Sequence, residues 1–416
     1  NVGVIGSFGR AFFRDLSLDQ TDEDFATSMC EVCNAIFQAS RALPARDEQL
    51  RRLKEQEGFF VDLDFLKPQS VLEQYGADIP EDASEAVLVD MVQALISRIT
   101  TNPRFSGALV VGAILSKDAM ERTIDGLPTA QYLWERKRVV PYLRIAETLA
   151  PEKNGVQLME EPSDLETCLD KLAQTGIFGT KGRVFIRSLD KAGIKAAVKQ
   201  EFDMSRKIIA KGLVPILQFE VDLNSPSRGK IERLLFDLIM ARVGNLRPEE
   251  KVVIDVTVPC EPNAYLPLIG HPNVIRVTAN GGPLSQKSSR EAACKLLAAN
   301  ISLVASFGRA FIEGLQAKQT EQEFTLALEA AQNEMYTSSV AVPTREEQIV
   351  KVKSTNGFVV ALDQTGGSAR GVLEKYGIDP SACSGEAQMN DKLNAMQTRI
   401  LTCPEFDGSR IIGVSL

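Results

Sequence analysis

The stretch "NISLVASFGRAFIEGLQAKQTEQEF" (Asn300–Phe324) has a counterpart at the start of the chain, "NVGVIGSFGRAFFRDLSLDQTDEDF" (Asn1–Phe25). The offset from Asn1 to Asn300 is 299, and it persists: Pro44 pairs with Pro343, Arg46 with Arg345, Gly58 with Gly357 and Asp64 with Asp363. Beyond these the second copy is two residues longer, so that Tyr75 pairs with Tyr376 and Pro103 with Pro404. A period near 300 residues is too long for a solenoid and is the size of a whole domain. In chain order, residues 1–41 read as the C-terminal part of one module, 42–340 as a complete module and 341–416 as the opening of a third. A permuted reading, in which 1–298 carry every element once, is equally consistent. Which copy of "SFGRAF" closes the complete domain stays open at this point.

Within one period, apolar strand-like runs alternate with helical patterns. The strands read "GFFVDLD" (58–64), "ALVVGAIL" (108–115), "VVPYLRI" (139–145), "IFGTKGRVFI" (177–186), "LVPILQFEV" (213–221), "KVVIDVTV" (251–258), "NVIRVTA" (273–279) and "ISLVASF" (301–307). Residues 188–212, ending on Gly212, and 227–245 are the clearest helices. Eight strands in about 300 residues predict a (β/α)₈ TIM barrel, an α/β fold whose chemistry sits at the C-terminal ends of the strands. Those ends carry Asp64, Arg144, Lys181, Gln218, Glu220, Asp255, Asn280 and Arg309. The cluster reads either as a site or as a polar plug satisfying itself.

Composition narrows the function. The 416 residues are 44% hydrophobic and 25% charged, as in an ordinary soluble globular protein. A net charge of −8 argues against nucleic acid or an anionic membrane as partner. No apolar run approaches the roughly 20 residues a membrane span needs. The first residue is Asn1 and no signal-like segment follows it, which suggests a processed or partial chain. Seven cysteines do not make a disulfide framework here, and Cys30 and Cys33 fall in a helical pattern that reads as core. The single histidine, His271, excludes His-based triads and multi-His metal sites. The single tryptophan, Trp134, reads as core. No metal and no cofactor are expected.

Several motifs together resemble the microbial-type class I fructose-1,6-bisphosphate aldolases along nearly the whole module. They are "EKNGVQLM" (152–159), "GIFGTK" (176–181), "IIAKGLVPI" (208–216), "HPNVIRV" (271–277), "SFGRAF" (306–311) and, in the third module, "GFVVALDQTGGSARGVLEKYG" (357–377). The resemblance implies a (β/α)₈ barrel without metal. It implies a lysine that forms a Schiff base with the ketose, carboxylates and a second lysine that move protons, and glycine loops with an arginine that hold phosphates.

Position by position, the middle module departs from that pattern. The family's "LKLTIP", which carries the imine lysine, is "IDVTVP" (254–259), with Asp255 in the lysine's place. The family's "EPE" is "QFE", so Gln218 cannot exchange protons while Glu220 remains. The family's "LKVDKG" is "LRIAET", and Arg144 is a poor proton shuttle. The first phosphate loop is "LDFLKPQS" (63–70), with Pro68 lacking an N–H, where the third module keeps "LDQTGGS" with Gly366, Gly367 and Ser368. The family's "SGG" is "NGG", retaining Gly281 and Gly282. Arg309, and Arg10 in the first copy, match the phosphate arginine; Asp64, Lys181 and Glu220 remain as catalytic remnants. Lys181 matches the auxiliary lysine, and it reads as a structural salt bridge to Asp255 or Glu220 rather than a stand-in nucleophile. Asp255 would have Lys181 or Arg144 as partner. Ser306 reads as the cap of a helix beginning in "SFGRAF".

Three functional expectations follow. The first is an inactive aldolase-like barrel with a structural role, linking copies of itself or neighbouring modules head to tail. The second is a class I aldolase, a lyase of glycolysis, gluconeogenesis or the Calvin cycle, active through intact modules elsewhere in a longer chain. The third is weak sugar-phosphate binding without catalysis. The resemblance suggests an intracellular compartment, cytoplasm or plastid.

Overall fold

The computed structural model describes residues 21, 45–145, 148–173, 175–281, 290–340, 358–362, 367–401 and 411–415. Two compact units divide the chain, Asn1–Ala341 and Val342–Leu416.

In the first unit eight parallel strands close into a ring. They are β1 (Phe59–Leu63), β2 (Val110–Leu115), β3 (Val140–Arg144), β4 (Gly179–Lys181), β5 (Val214–Val221), β6 (Val252–Thr257), β7 (Val274–Asn280) and β8 (Val304–Phe307). Each pairs in parallel with the next, and β8 returns to β1 with Phe60 opposite Ser306. The second "SFGRAF" therefore closes the barrel; the first lies outside the described residues, as do Cys30 and Cys33. Strands covered on both faces carry apolar residues almost without break, and every residue of β1, β2, β3 and β6 is buried.

Helices cover the ring. Lys191–Ala210 starts on Asp190, whose carboxylate accepts the Gly193 N–H at 2.8 Å, and stops at Gly212 with φ +74°. Glu321–Ser339 starts on a capping box between Thr320 and Glu323. Trp134 is buried in Thr129–Glu135 with the Arg138 guanidinium over its ring. At the N-terminal end of the barrel, Arg276 of β7 donates to the carbonyls of Leu53 (2.7 Å), Lys54 (3.2 Å) and Gln56 (2.9 Å). It thereby ties down the last turn of the helix Ala45–Glu55. Among the described residues no helix is long and apolar enough to cross a membrane.

Two expectations are corrected. "IFGTKGRVFI" is not one strand: it breaks after Lys181 and resumes as Val184–Ile186. The Gly182 N–H is taken by the Ile216 carbonyl, and its own carbonyl accepts from Arg144, so the chain turns there. Nor does a helix start in "SFGRAF". Residues 308–314 form turns, the next helix begins at Glu321, and the Ser306 hydroxyl points into the barrel.

In the second unit the strands Phe358–Ala361 and Ile411–Ser415 pair in parallel. The helices Gly367–Lys375 and Glu386–Leu401 pack through Ala369, Leu373, Met389, Leu393 and Met396.

Candidate active site at the barrel mouth

Alternate residues of a strand share a face, so the inward positions of eight strands converge on the barrel axis. Lys181 of β4 has no exposed surface. Its ammonium lies 2.7 Å from Asp62 Oδ2 of β1 and 2.7 Å from Asp255 Oδ2 of β6, and donates to Ser306 Oγ of β8 at 3.1 Å. The Ser306 hydroxyl in turn donates to Asp62 Oδ1 at 2.7 Å. The Asn280 amide of β7 donates to Asp255 Oδ1 at 2.6 Å, and its own oxygen accepts from Thr257 Oγ1 at 3.2 Å. Five strands are thus stitched through one buried ion triad. Burial alone would depress the Lys181 ammonium, but Asp255 and Asp62 outweigh it and hold it above the ordinary lysine range. Burial, with Asp64 and Asp255 adding to it and Lys181 and Arg144 opposing, raises the Asp62 carboxyl above its ordinary value.

A second network lies above the first. Arg144 donates to Asp64 Oδ2 at 2.5 Å, to Gln218 Oε1 at 2.8 Å and to the Gly182 carbonyl at 2.7 Å, with Nη2 3.8 Å from Asp62 Oδ2. Burial would lower its pKa, but Asp64 and Asp62 raise it. Arg183 donates to Glu220 Oε2 at 2.7 Å. The Lys181 bridge therefore runs to Asp255, and Glu220 has a different partner. Of the two partners foreseen for Asp255, Lys181 is the direct one, while Arg144 is spoken for by Asp64 and Gln218.

A cavity of about 300 Å³ opens above these networks, walled by Asp62, Asp64, Arg144, Arg183, Glu220 and Arg309 among others. Lys181 and Asp255 lie beneath it and do not line it. Gly281 is on its wall, and so is Arg309, whose Nε donates to Gln74 at 3.1 Å. The altered loop places Lys67 as cap of the helix Pro68–Tyr75 with Pro68 in its first turn, so one backbone donor a glycine loop would offer is missing. Gly282, Arg10 and Gly366 lie outside the described residues. Gly367 opens the helix Gly367–Lys375 of the second unit, and Ser368 is exposed on it. Among the described residues no group of three or more His, Cys, Asp or Glu could hold a metal ion.

Three members of the site were not singled out from the sequence. Asp62 stands two residues before Asp64 on the same inward face, and the repeat has Ala361 at its position. Arg183 stands two residues after Lys181. Glu201, on the helix Lys191–Ala210, packs its carboxyl beside Gly182, and burial pushes it up to about 8.

Chemically, the arrangement can hold anions and exchange protons; Lys67 lines the cavity wall, and Lys181 beneath it is an ammonium held between two carboxylates. No family model matches the chain. The class 1 fructose-bisphosphate aldolase of Synechocystis is 38% identical over 300 residues, which are 72% of this chain and 99% of that protein. The chain also resembles a solved fructose-bisphosphate aldolase from Plasmodium falciparum, co-crystallised with TRAP and a small-molecule inhibitor. That likeness has a TM-score of 0.56 at 13% identity and covers 73% of this chain and 97% of the other. At this identity it speaks for the fold alone.

Proposed function

The chain belongs to the class 1 fructose-bisphosphate aldolase family, and from that premise we propose that the protein serves fructose-bisphosphate aldolase chemistry with a division of labour. Carbon–carbon cleavage is assigned to modules that keep the glycine loop, as "ALDQTGGSARG" (361–371) does. The barrel at 45–340 takes a singly phosphorylated sugar at Arg309 without forming an imine.

One observation carries the second half of this reading. Lys181 is clamped between Asp62 and Asp255 at 2.7 Å each, so its nitrogen is protonated and has no electron pair for a carbonyl. Asp255, at the family's imine position, has no amine to offer. The Synechocystis relative supports the lyase lineage over a purely structural role.

The test is borohydride reduction in the presence of dihydroxyacetone phosphate, followed by peptide mass mapping. The expected result is no reduced adduct on any lysine between 45 and 340. An adduct on Lys181 would refute the division of labour. Titration of dihydroxyacetone phosphate by calorimetry should show a weak one-site isotherm, and no heat would refute binding at this mouth.

A further inference from the structure

We propose that Asp62 is a general base that enolises a small phosphorylated ketone bound in the mouth of this barrel. The proposal rests on the preceding reading that the mouth takes a sugar phosphate, and adds an imine-free reaction at a residue that reading does not use.

Access comes first. Of the three buried ions at the centre, only Asp62 reaches the wall of the cavity. About 300 Å³ sits at the lower end of the roughly 300–1,000 Å³ of small-molecule sites, which suits a short-chain ligand.

Positioning comes second. Ser306 holds one carboxylate oxygen and Lys181 the other, from two different strands. A carboxylate oxygen has two lone-pair directions, so each oxygen keeps one for a substrate proton. The Arg144 guanidinium lies 3.8 Å from Asp62 Oδ2, close enough to meet charge on a neighbouring substrate oxygen and too far to consume the base by hydrogen bonding. Arg309, on the cavity wall, supplies the phosphate end.

Strength comes third. Burial lifts the Asp62 carboxyl above an ordinary aspartate and makes its anion a better base. Finally, the residue is particular to this barrel, since the repeat carries Ala361 in its place.

The step balances without a cofactor. Asp62 takes a proton from the hydroxyl-bearing carbon next to the carbonyl. The C–H pair becomes the enediolate double bond, and the carbonyl π pair moves onto oxygen opposite Arg144. Protonated Asp62 swaps its proton with solvent and delivers one back to the same carbon, which completes the exchange; when the enediolate's hydroxyl proton has passed to the neighbouring oxygen, delivery to the neighbouring carbon yields the aldehyde isomer.

The experiment incubates the full chain with dihydroxyacetone phosphate in deuterium oxide and follows loss of the hydroxymethyl proton signal by NMR. Calorimetric titration of the same compound runs alongside. Wild type should exchange about 100-fold or more above buffer, with a rate that rises as pH climbs through the Asp62 ionisation. Asp62→Asn should bring exchange to the buffer rate while the Kd stays within about threefold. Ser306→Ala leaves the Lys181 ion pair intact and should slow exchange about tenfold; an unchanged rate there overturns the positioned base even if Asp62→Asn fails to fold. Binding without exchange in wild type overturns this inference and leaves the proposed function standing. Absence of binding overturns both, and exchange that survives in Asp62→Asn overturns the assignment.

Discussion

Replacing Asp255 by alanine removes one of the two carboxylates that hold Lys181 in its fully buried position. Taking one partner from a buried ion pair costs about 3–5 kcal/mol, because the remaining charge has lost water and gained nothing. Here the remaining charge keeps Asp62 at 2.7 Å and Ser306 at 3.1 Å, so the low end, about 3 kcal/mol, is expected. For a domain of this size each kcal/mol moves Tm by about 2–4 °C, which predicts a fall of about 6–12 °C. Thermal unfolding followed by circular dichroism at pH 7 measures it. The pH dependence has a definite sign. A lysine raised above its unfolded value of about 10.4 gives its full stabilisation below that value and loses it as pH rises through the higher folded value. The gap between wild type and Asp255→Ala should therefore narrow in strongly alkaline solution. Combining Lys181→Met with Asp255→Ala should cost less than the sum of the two single variants, because both remove the same ion pair. A single substitution that costs under about 1 kcal/mol, or a double variant that is worse by the full sum of the two singles, would refute the claim that the triad is charged and coupled.

Glu201→Gln should stabilise the barrel at pH 8. Burial pushes this carboxyl up to about 8, with Asp255 adding to the shift and Arg144 and the Gln218 backbone opposing it. A carboxyl raised on folding makes the folded state lose stability as pH climbs from the unfolded value near 4.5 towards 8, by at most on the order of 4–5 kcal/mol. Urea unfolding across that range should show wild type weakening with pH and the glutamine variant nearly flat. Gly179→Ala should cost at least about 3 kcal/mol or abolish folding, because its new methyl would stand 1.8 Å from the Val214 carbonyl and force β4 from β5. Gly270→Ala, where a methyl meets nothing within 4 Å, should change Tm by no more than about 1–2 °C.

The barrel was legible because its strands are buried on both faces and so appear as apolar runs bounded by polar turns. Asp255 was legible for the opposite reason: a carboxylate inside "VVIDVTV" needs a partner, and Lys181 is that partner. What failed to show was pairing across the barrel interior. Asp62 alternates with Asp64 in "VDLD", and only the closure of the ring brings it to Lys181, 119 residues away. Arg183 read as part of a continuous strand, but the hydrogen bonds of Gly182 to β5 and Arg144 turn the chain and send it to Glu220 instead. Glu201 was invisible because a glutamate in a helix reads as solvated surface unless its neighbours are known. The identity of the closing "SFGRAF" was undecidable from two near-identical strands, and only pairing with β1 separates them.

The hold of Arg276 on the carbonyls of Leu53, Lys54 and Gln56 has a consequence for biosynthesis. The donor comes 223 residues after Leu53, the first of its acceptors. At roughly 5–20 residues per second, the ribosome takes about 11–45 s to supply the arginine after the helix Ala45–Glu55 has emerged. During that interval the last turn of the helix lacks its anchor, and β1 has no β8 to pair with. The N-terminal third of the barrel is thus a guest of whatever else can shield it, and slowing elongation between 60 and 276 should lengthen its exposure to chaperones and proteases.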